Sequence, residues 1–487
     1  MEIKQNKLSY RWVWITAAAV FCILFTFTLI PAAAQGNSAP SRRASYGEMM
    51  QNVFDFIVNN YVDEVDPQVL FEGAMNGMFG ALDDPYSAFL TASDMGDMSH
   101  TTQGSFGGVG LNITQPVGQR TDGKPRYVEV VSPIEDTPGW RAGINPGDFI
   151  KEINGIMTDT LTMDEVLGML RGTVGEQVNL VIRRGERIEF PVTITRAVIE
   201  VPTVKHAMIG DTGYLRLITF TPMTIERAVE AIGYFQANNY KSIVLDLRNN
   251  YGGLLNSAVA VASLFLEGGT VVSTRSRIAS ENRNFNAGRT ALVPADIPVV
   301  VLINRGSASA SEIVAGALKD RGRAYVVGET SFGKGSVQQI FPLNNTGFRI
   351  TTARYYTPSG VNIDKVGIPP DRLVEFPDFS EEDADQLNRL MNANRIPEFT
   401  ERNPNANQAQ IDAFAATLER EYHLNLSLIK RLIRNELNRT VIAPVYDMEY
   451  DVQLQEAVNI LRSGDYPNLL RNAKTLSVLQ EEALQAR

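Results

Sequence analysis

Between Ile303 and Gly322 the sequence reads INRGSASASEIVAGALKDRG, with Ser307, Ser309 and Ser311 at alternate positions between a basic turn and an apolar helical run. Two chemistries fit this bend. Ser309 followed three residues later by Glu312 has the spacing of a helix capping box, and small residues let a helix pack closely on its strand. Alternatively, a serine at a strand-to-helix bend presents its hydroxyl beyond the sheet edge, where the following backbone N–H groups face a developing oxyanion. A nucleophile needs a base, and Lys334 stands between Gly333 and Gly335 in GETSFGKGSVQQ, just after the apolar stretch AYVV. Lysine in water stays protonated at neutral pH; burial disfavours the charged form, so a buried lysine can serve a serine as base. The alternative is a lysine in a surface turn. Gln338, four residues on, falls on the same side as Lys334 and either orients the amine or sits as an ordinary strand-edge amide. LDLRNNYGGLL ends a buried strand in Gly252 and Gly253, whose bare backbone suits either close approach to a ligand or a tight turn.

These residues need a scaffold. From about Ile199 to Pro377, SIVLDL, PVVVLIN and AYVVGE are short continuous apolar runs of the kind found in a sheet covered on both faces, and SASEIVAGALKDRG is a helix between the last two. An α/β core is predicted there. From Gly104 to about Arg196 the pattern is β-rich: RYVEVVSP and QVNLVIRRGERIEFPVTITR alternate as strands do, with RRGER as a hairpin turn. Within it, TMDEVLGMLRG opens on Thr162 and Glu165 at capping-box spacing and sets Val166 and Leu170 on one helical face. Residues 45 to about 100 carry helical periodicity, as Met50, Phe54 and Ile57 show, and the chain past Asp378 is again charged, amphipathic and helical.

Composition narrows the function. A chain of 487 residues exceeds one ordinary core, so two to four domains are expected. The net charge of −10, on a body more acidic still than its basic amino terminus, excludes a nucleic-acid binder. The single cysteine, Cys22, permits no intrachain disulfide and no Cys-rich metal site, while His100, His206 and His423 make no ligand-spaced pair. Neither a metal nor an organic cofactor is expected. Lys4, Lys7 and Arg11 precede an uncharged apolar run from Trp12 to Ile30, followed by small residues in PAAAQ. Residues 1–34 therefore read as an export signal or as a retained membrane anchor, and either places the body outside the cytoplasm, in the periplasm or cell envelope.

Together, NRGSASASEIVAGAL, VVGETSFGKGSVQQ, DLRNNYGG, ARYYTPSG and GIPPD resemble the carboxyl-terminal processing peptidases, or tail-specific proteases, of serine peptidase family S41. The resemblance spans residues 45 to 376, in the family's order and spacing. It implies a multidomain α/β protein: a linker and helical module over 35–100, a PDZ domain over 101–198, a crotonase-like peptidase core over 199–377 and a helical region over 378–487. Carried over by motif, it makes Ser309 the nucleophile, Lys334 the general base and Gln338 the residue that orients the lysine. The oxyanion hole becomes the N–H of Ala310 with that of Gly252 or Gly253. Where the family usually has proline before the paired glycines, this chain has Tyr251. SFGGVGLNI resembles the carboxylate-binding loop of PDZ domains, where backbone N–H groups receive a terminal carboxylate and the peptide adds as a strand. Gly107, Gly108, Val109 and Gly110 would form that loop. Leu111, Ile113, Val166 and Leu170 would line the pocket or else pack in the core, and Arg171 would link peptide occupancy to a group near the active site. The implied partners are proteins with free carboxyl termini, with the helical modules as a route to a homodimer. A catalytically silent peptide-binding adaptor is the alternative, against which the presence of all three catalytic residue types stands.

Overall fold

A computed structural model describes residues 42–96, 105–115, 126–134, 137–185, 188–200, 202–375, 381–437 and 445–485. The amino-terminal signal or anchor lies outside the described residues; among these, no helix is long and apolar enough to cross a membrane. The chain divides into two units, Met1–Asp83 and Asp84–Arg487. The first contains α1 (Arg42–Asn60) and α2 (Pro67–Gly80). The second helix starts where Asp66 accepts a hydrogen bond from the Gln68 N–H and Pro67, lacking a donor to lose, takes the first turn. A short strand, β1 (Ala88–Leu90), interrupts the stretch predicted as helical and falls in the second unit, with helical residues again at 92–96.

The β-rich segment folds as expected into a small domain. Strands β2 (Ser105–Gly108), β3 (Leu111–Thr114) and β4 (Val128–Pro133) lead through the short helix α3 (Pro138–Arg141) to β5 (Phe149–Ile153) and β6 (Ile156–Met157). Then come α4 (Met163–Leu170), β7 (Gln177–Arg184), β8 (Ile188–Thr195) and β9 (Ala197–Glu200). The sheet order is β3-β4-β5-β7-β8, so among the described residues β3 is an edge strand with one side unpaired. Thr162 and Glu165 make the predicted capping box of α4.

The α/β core follows: β10 (Val204–Ile209), β11 (Thr212–Leu217), α5 (Thr224–Ala237), β12 (Ser242–Asp246), α6 (Leu255–Ala262), β13 (Thr270–Ser276), β14 (Arg283–Asn286) and β15 (Val299–Ile303). It continues with α7 (Ala310–Asp320), β16 (Tyr325–Gly328), β17 (Ser336–Leu343), β18 (Thr346–Tyr356) and β19 (Arg372–Leu373). Strands order as β10-β11-β12-β15-β16-β19, parallel from β11 onward. Alternate residues of the three apolar strands bury on opposite faces, Ile243 and Leu245 with Val301 on one and Val244 with Val300 and Leu302 on the other. That two-sided burial explains why their sequences are continuous rather than alternating. A second sheet runs β1-β18-β13-β14, with β17 also on β18.

The carboxyl-terminal helices divide between two tasks. Helices α8 (Glu381–Asn392), α9 (Arg395–Arg402), α10 (Gln408–Tyr422) and α11 (Leu426–Leu437) share their own core around Leu390, Ile411, Leu418 and Ile429. Helices α12 (Val452–Arg462) and α13 (Tyr466–Asn472) instead cover one face of the parallel sheet, where Leu454, Val458 and Tyr466 pack on Val244, Val300 and Val327. Leu476, which opens α14 (Leu476–Gln485), joins the core on the opposite face. A helical region read as separate is thus in part the second cover of the parallel sheet.

Candidate active site

The bend between β15 and α7 separates its three serines. Ser307 is fully buried, and its hydroxyl donates to the Leu247 carbonyl at 2.8 Å. Ser311, equally buried, donates to the Asn250 carbonyl at 2.8 Å. Both hydroxyls stitch the bend to the loop after β12. Ser309 alone is half-exposed, and its backbone sits at φ 56°, ψ −111°, a left-handed conformation that costs a non-glycine residue about 1–3 kcal/mol. Such strain persists only where the surroundings impose it.

Those surroundings centre on Glu312, which is fully buried. One carboxylate oxygen accepts from the Ser309 N–H at 2.8 Å and the Lys334 N–H at 2.9 Å; the other accepts from the Ser331 hydroxyl and the Gly333 N–H, both at 2.6 Å. The predicted cap partner therefore does more than cap: it joins the serine bend to the lysine loop. Burial pushes its carboxyl up, against four donated hydrogen bonds that favour the ionised form. The loop is closed from the other side by Tyr355, whose hydroxyl donates to the Lys334 carbonyl.

The Lys334 amine is half-buried and lies 4.4 Å from the centre of the Tyr86 ring. Burial, assisted by the charge of Arg349, lowers its pKa below the ordinary lysine value, while Asp84 and Glu312 pull the other way. Gln338 lies on β17, just past a register shift, and its amide donates to the Ser336 hydroxyl at 2.9 Å and the Thr351 hydroxyl at 3.3 Å. Its partners in the structure are these hydroxyls rather than the lysine amine expected from the sequence.

The paired glycines behave differently from each other. Gly252, at φ 105°, approaches so closely that a Cβ there would lie 2.8 Å from both the Ala308 carbonyl and the Ser309 Cβ, and 3.0 Å from the Ala310 nitrogen. Its own N–H is engaged, donating to the Asn250 side chain at 2.9 Å. Gly253, at φ 140°, abuts the Phe220 carbonyl. Among the described residues the N–H groups of Gly253 and of Ala310, at the open end of α7, have no acceptor. Tyr251 stands 78% exposed on the loop.

In the β-rich domain, Gly107 and Gly108 lie in β2 paired to β9, and Val109 is buried. Gly110, at φ 78°, packs against Thr137, where any Cβ would collide. Leu111 and Ile113 on the edge strand are partly buried against the domain core. Val166 and Leu170 are 0% and 4% exposed, so in this structure they are core residues rather than an open pocket wall. The Arg171 guanidinium lies 5.2 Å from the Phe106 ring, inside the domain. Buried Arg196, absent from the sequence reading, donates to the carbonyls of Met169 and Leu170 and so ties down the end of α4.

Comparison with known proteins identifies the family. The profile of peptidase family S41 matches residues 211–374, a PDZ domain profile matches 129–184, and the amino-terminal domain of the activating protease CtpB matches 30–93. A carboxy-terminal-processing protease of Bartonella bacilliformis is 42% identical over 352 residues, covering 71% of this chain and 79% of its own length. The carboxy-terminal processing protease CtpB of Bacillus subtilis is 33% identical over 357 residues, covering 72% of each chain. Among solved structures, the photosystem II D1 C-terminal processing protease matches at 30% identity with a TM-score of 0.40, over 67% of this chain and 92% of that one.

Proposed function

The chain belongs to peptidase family S41, the carboxy-terminal processing proteases, and from that premise we propose that it cleaves protein substrates by a serine–lysine acyl-enzyme mechanism. The observation that carries the assignment is the separation of the three serines: Ser307 and Ser311 are buried and bonded to backbone, while Ser309 is strained, half-exposed and set at the start of α7. Ser309 Oγ attacks the scissile carbonyl carbon, and the neutral Lys334 amine takes its proton. The lowered pKa of Lys334 supports that role, because it raises the fraction present as free amine. The new oxyanion is held by the free N–H groups of Ala310 and Gly253, while Gly252 supplies the close approach. Collapse of the tetrahedral intermediate breaks the C–N bond, and the Lys334 ammonium returns its proton to the leaving amine. Water, deprotonated by the same amine, then hydrolyses the ester.

The PDZ domain supplies recognition of substrate carboxyl termini. Among the described residues, its edge strand β3 has an open side for an added strand and the Gly110 N–H has no acceptor. The basic, then apolar, amino terminus supports an extracytoplasmic location. Cleavage of an unfolded reporter with an apolar carboxyl-terminal tail tests the reading. Ser309→Ala and Lys334→Ala are expected to abolish cleavage while retaining tail binding. Tail binding by the wild type without cleavage under any tail or pH would replace the peptidase with a peptide-binding adaptor.

A further inference from the structure

The segment Asp84–Ser87 has no part in the mechanism above, yet its groups end at the base. Strand β1 pairs antiparallel with β18, Ala88 opposite Arg349, and this register lays the preceding residues along Arg349 and Thr351. The Asp84 carboxylate accepts from the hydroxyls of Thr351 and Ser87, both at 2.6 Å, and from the Tyr86 N–H at 3.0 Å. The Ser87 hydroxyl accepts the Thr351 N–H at 3.0 Å, and the Tyr86 carbonyl accepts Arg349 Nε at 2.8 Å. Three of these hydrogen bonds tie the segment to the strand, and the other two brace the segment itself.

Two arms leave this knot for the catalytic residues. The Thr351 hydroxyl, having given its proton to Asp84, is left as acceptor for the Gln338 amide at 3.3 Å. The Tyr86 ring lies 4.4 Å from the Lys334 amine. An aromatic face attracts the ammonium without offering it a localised acceptor. The amine is thereby seated, and in its neutral form its lone pair stays available for a serine proton.

We propose that Asp84 and Tyr86 are positioning residues of the peptidase, Tyr86 seating the Lys334 amine with its ring and Asp84 orienting Gln338 through Thr351. The proposal rests on the serine–lysine reading. Asp84, Glu312 and Arg349 are the charged groups acting on Lys334, and Tyr86 also feels Asp364. Removing the ring, or the negative charge of Asp84, takes away something that favours the ammonium. The acidic limb of activity, where Lys334 gains its proton, then moves to lower pH.

The test measures kcat and KM for the unfolded reporter across the acidic limb, in full-length wild type, Tyr86→Leu, Tyr86→Phe, Asp84→Asn and Lys334→Ala, with melting curves for each. Tyr86→Leu and Asp84→Asn should lose on the order of tenfold to a hundredfold in kcat with KM little changed. Both should shift the acidic limb down, and Tyr86→Phe, which keeps the ring, should restore rate and limb together. Loss of rate without displacement of the limb, or equal loss in Tyr86→Phe, would make the segment a structural brace and overturn the proposal. If Tyr86→Leu does not fold, the limb of Asp84→Asn decides alone. Cleavage by Lys334→Ala would instead overturn the serine–lysine reading itself.

Discussion

Glu312→Gln changes one heavy atom, yet the structure assigns it a large effect. Each carboxylate oxygen accepts two donors, Ser309 N–H and Lys334 N–H on one side, Ser331 Oγ and Gly333 N–H on the other. A glutamine must turn its amide nitrogen toward one of these pairs, where it can accept neither bond and faces donors with a donor. Hydrogen bonds to a charged acceptor contribute about 1.5–3 kcal/mol each, so two lost bonds amount to about 3–6 kcal/mol. Water cannot replace them, because the side chain is fully buried. All four donors belong to the serine bend and the lysine loop, so the loss falls chiefly on the alignment of the two. If half of it appears in the transition state, kcat/KM drops by about 10- to 100-fold, at 1.36 kcal/mol per decade. The assay is steady-state cleavage of the unfolded reporter beside a melting curve and labelling of Ser309 by a serine-reactive fluorophosphonate. A folded Glu312→Gln protein with wild-type kcat/KM and labelling would refute the claim that this carboxylate joins the two halves of the site.

Arg349→Gln should move the acidic limb of kcat/KM to higher pH, because the charge that helps burial hold Lys334 low is removed; an unmoved limb would separate Arg349 from the base. Gly252→Ala places a Cβ 2.8 Å from Ser309 Cβ at a positive φ, and loss of Ser309 labelling with tail binding intact is the expected result of a labelling and binding assay. Asp451→Ala removes a partner 2.6 Å from buried Arg248 and should lower stability by about 3 kcal/mol in denaturant titration, an effect moderated by the remaining Asp246 pair. An unchanged midpoint would show that α12 does not brace the loop after β12.

Much of the fold is legible locally. Continuous apolar runs mark the buried parallel strands, Thr162 and Glu165 mark the start of α4, and Asp66 with Pro67 allows α2 to begin. Each signal acts between residues a few positions apart, through backbone periodicity or a cap, so sequence alone determines it. The alternating serines, the isolated lysine and the paired glycines were visible in the same way as candidates for chemistry. Their environments were not. That Ser307 and Ser311 are bonded inward while Ser309 is strained outward depends on a loop some sixty residues earlier in the chain.

Tertiary structure alone decided the supports of the site. Glu312 looked like a cap because capping is what its spacing to Ser309 encodes; its bonds to Gly333, Ser331 and Lys334 depend on how β16 and the following loop return beside α7. Val166 and Leu170 could be pocket walls or core from sequence, because a helical face does not say whether a ligand or a core will cover it. Arg248 and Asp451 meet across 203 positions, and Asp84 and Thr351 across 267. Such pairs leave no periodic trace, since a sheet register between distant strands, here β1 on β18, sets their contact. The amino-acid sequence supplied the reactive groups and the elements that carry them, while long-range packing selected the orientation, burial and partners of each group.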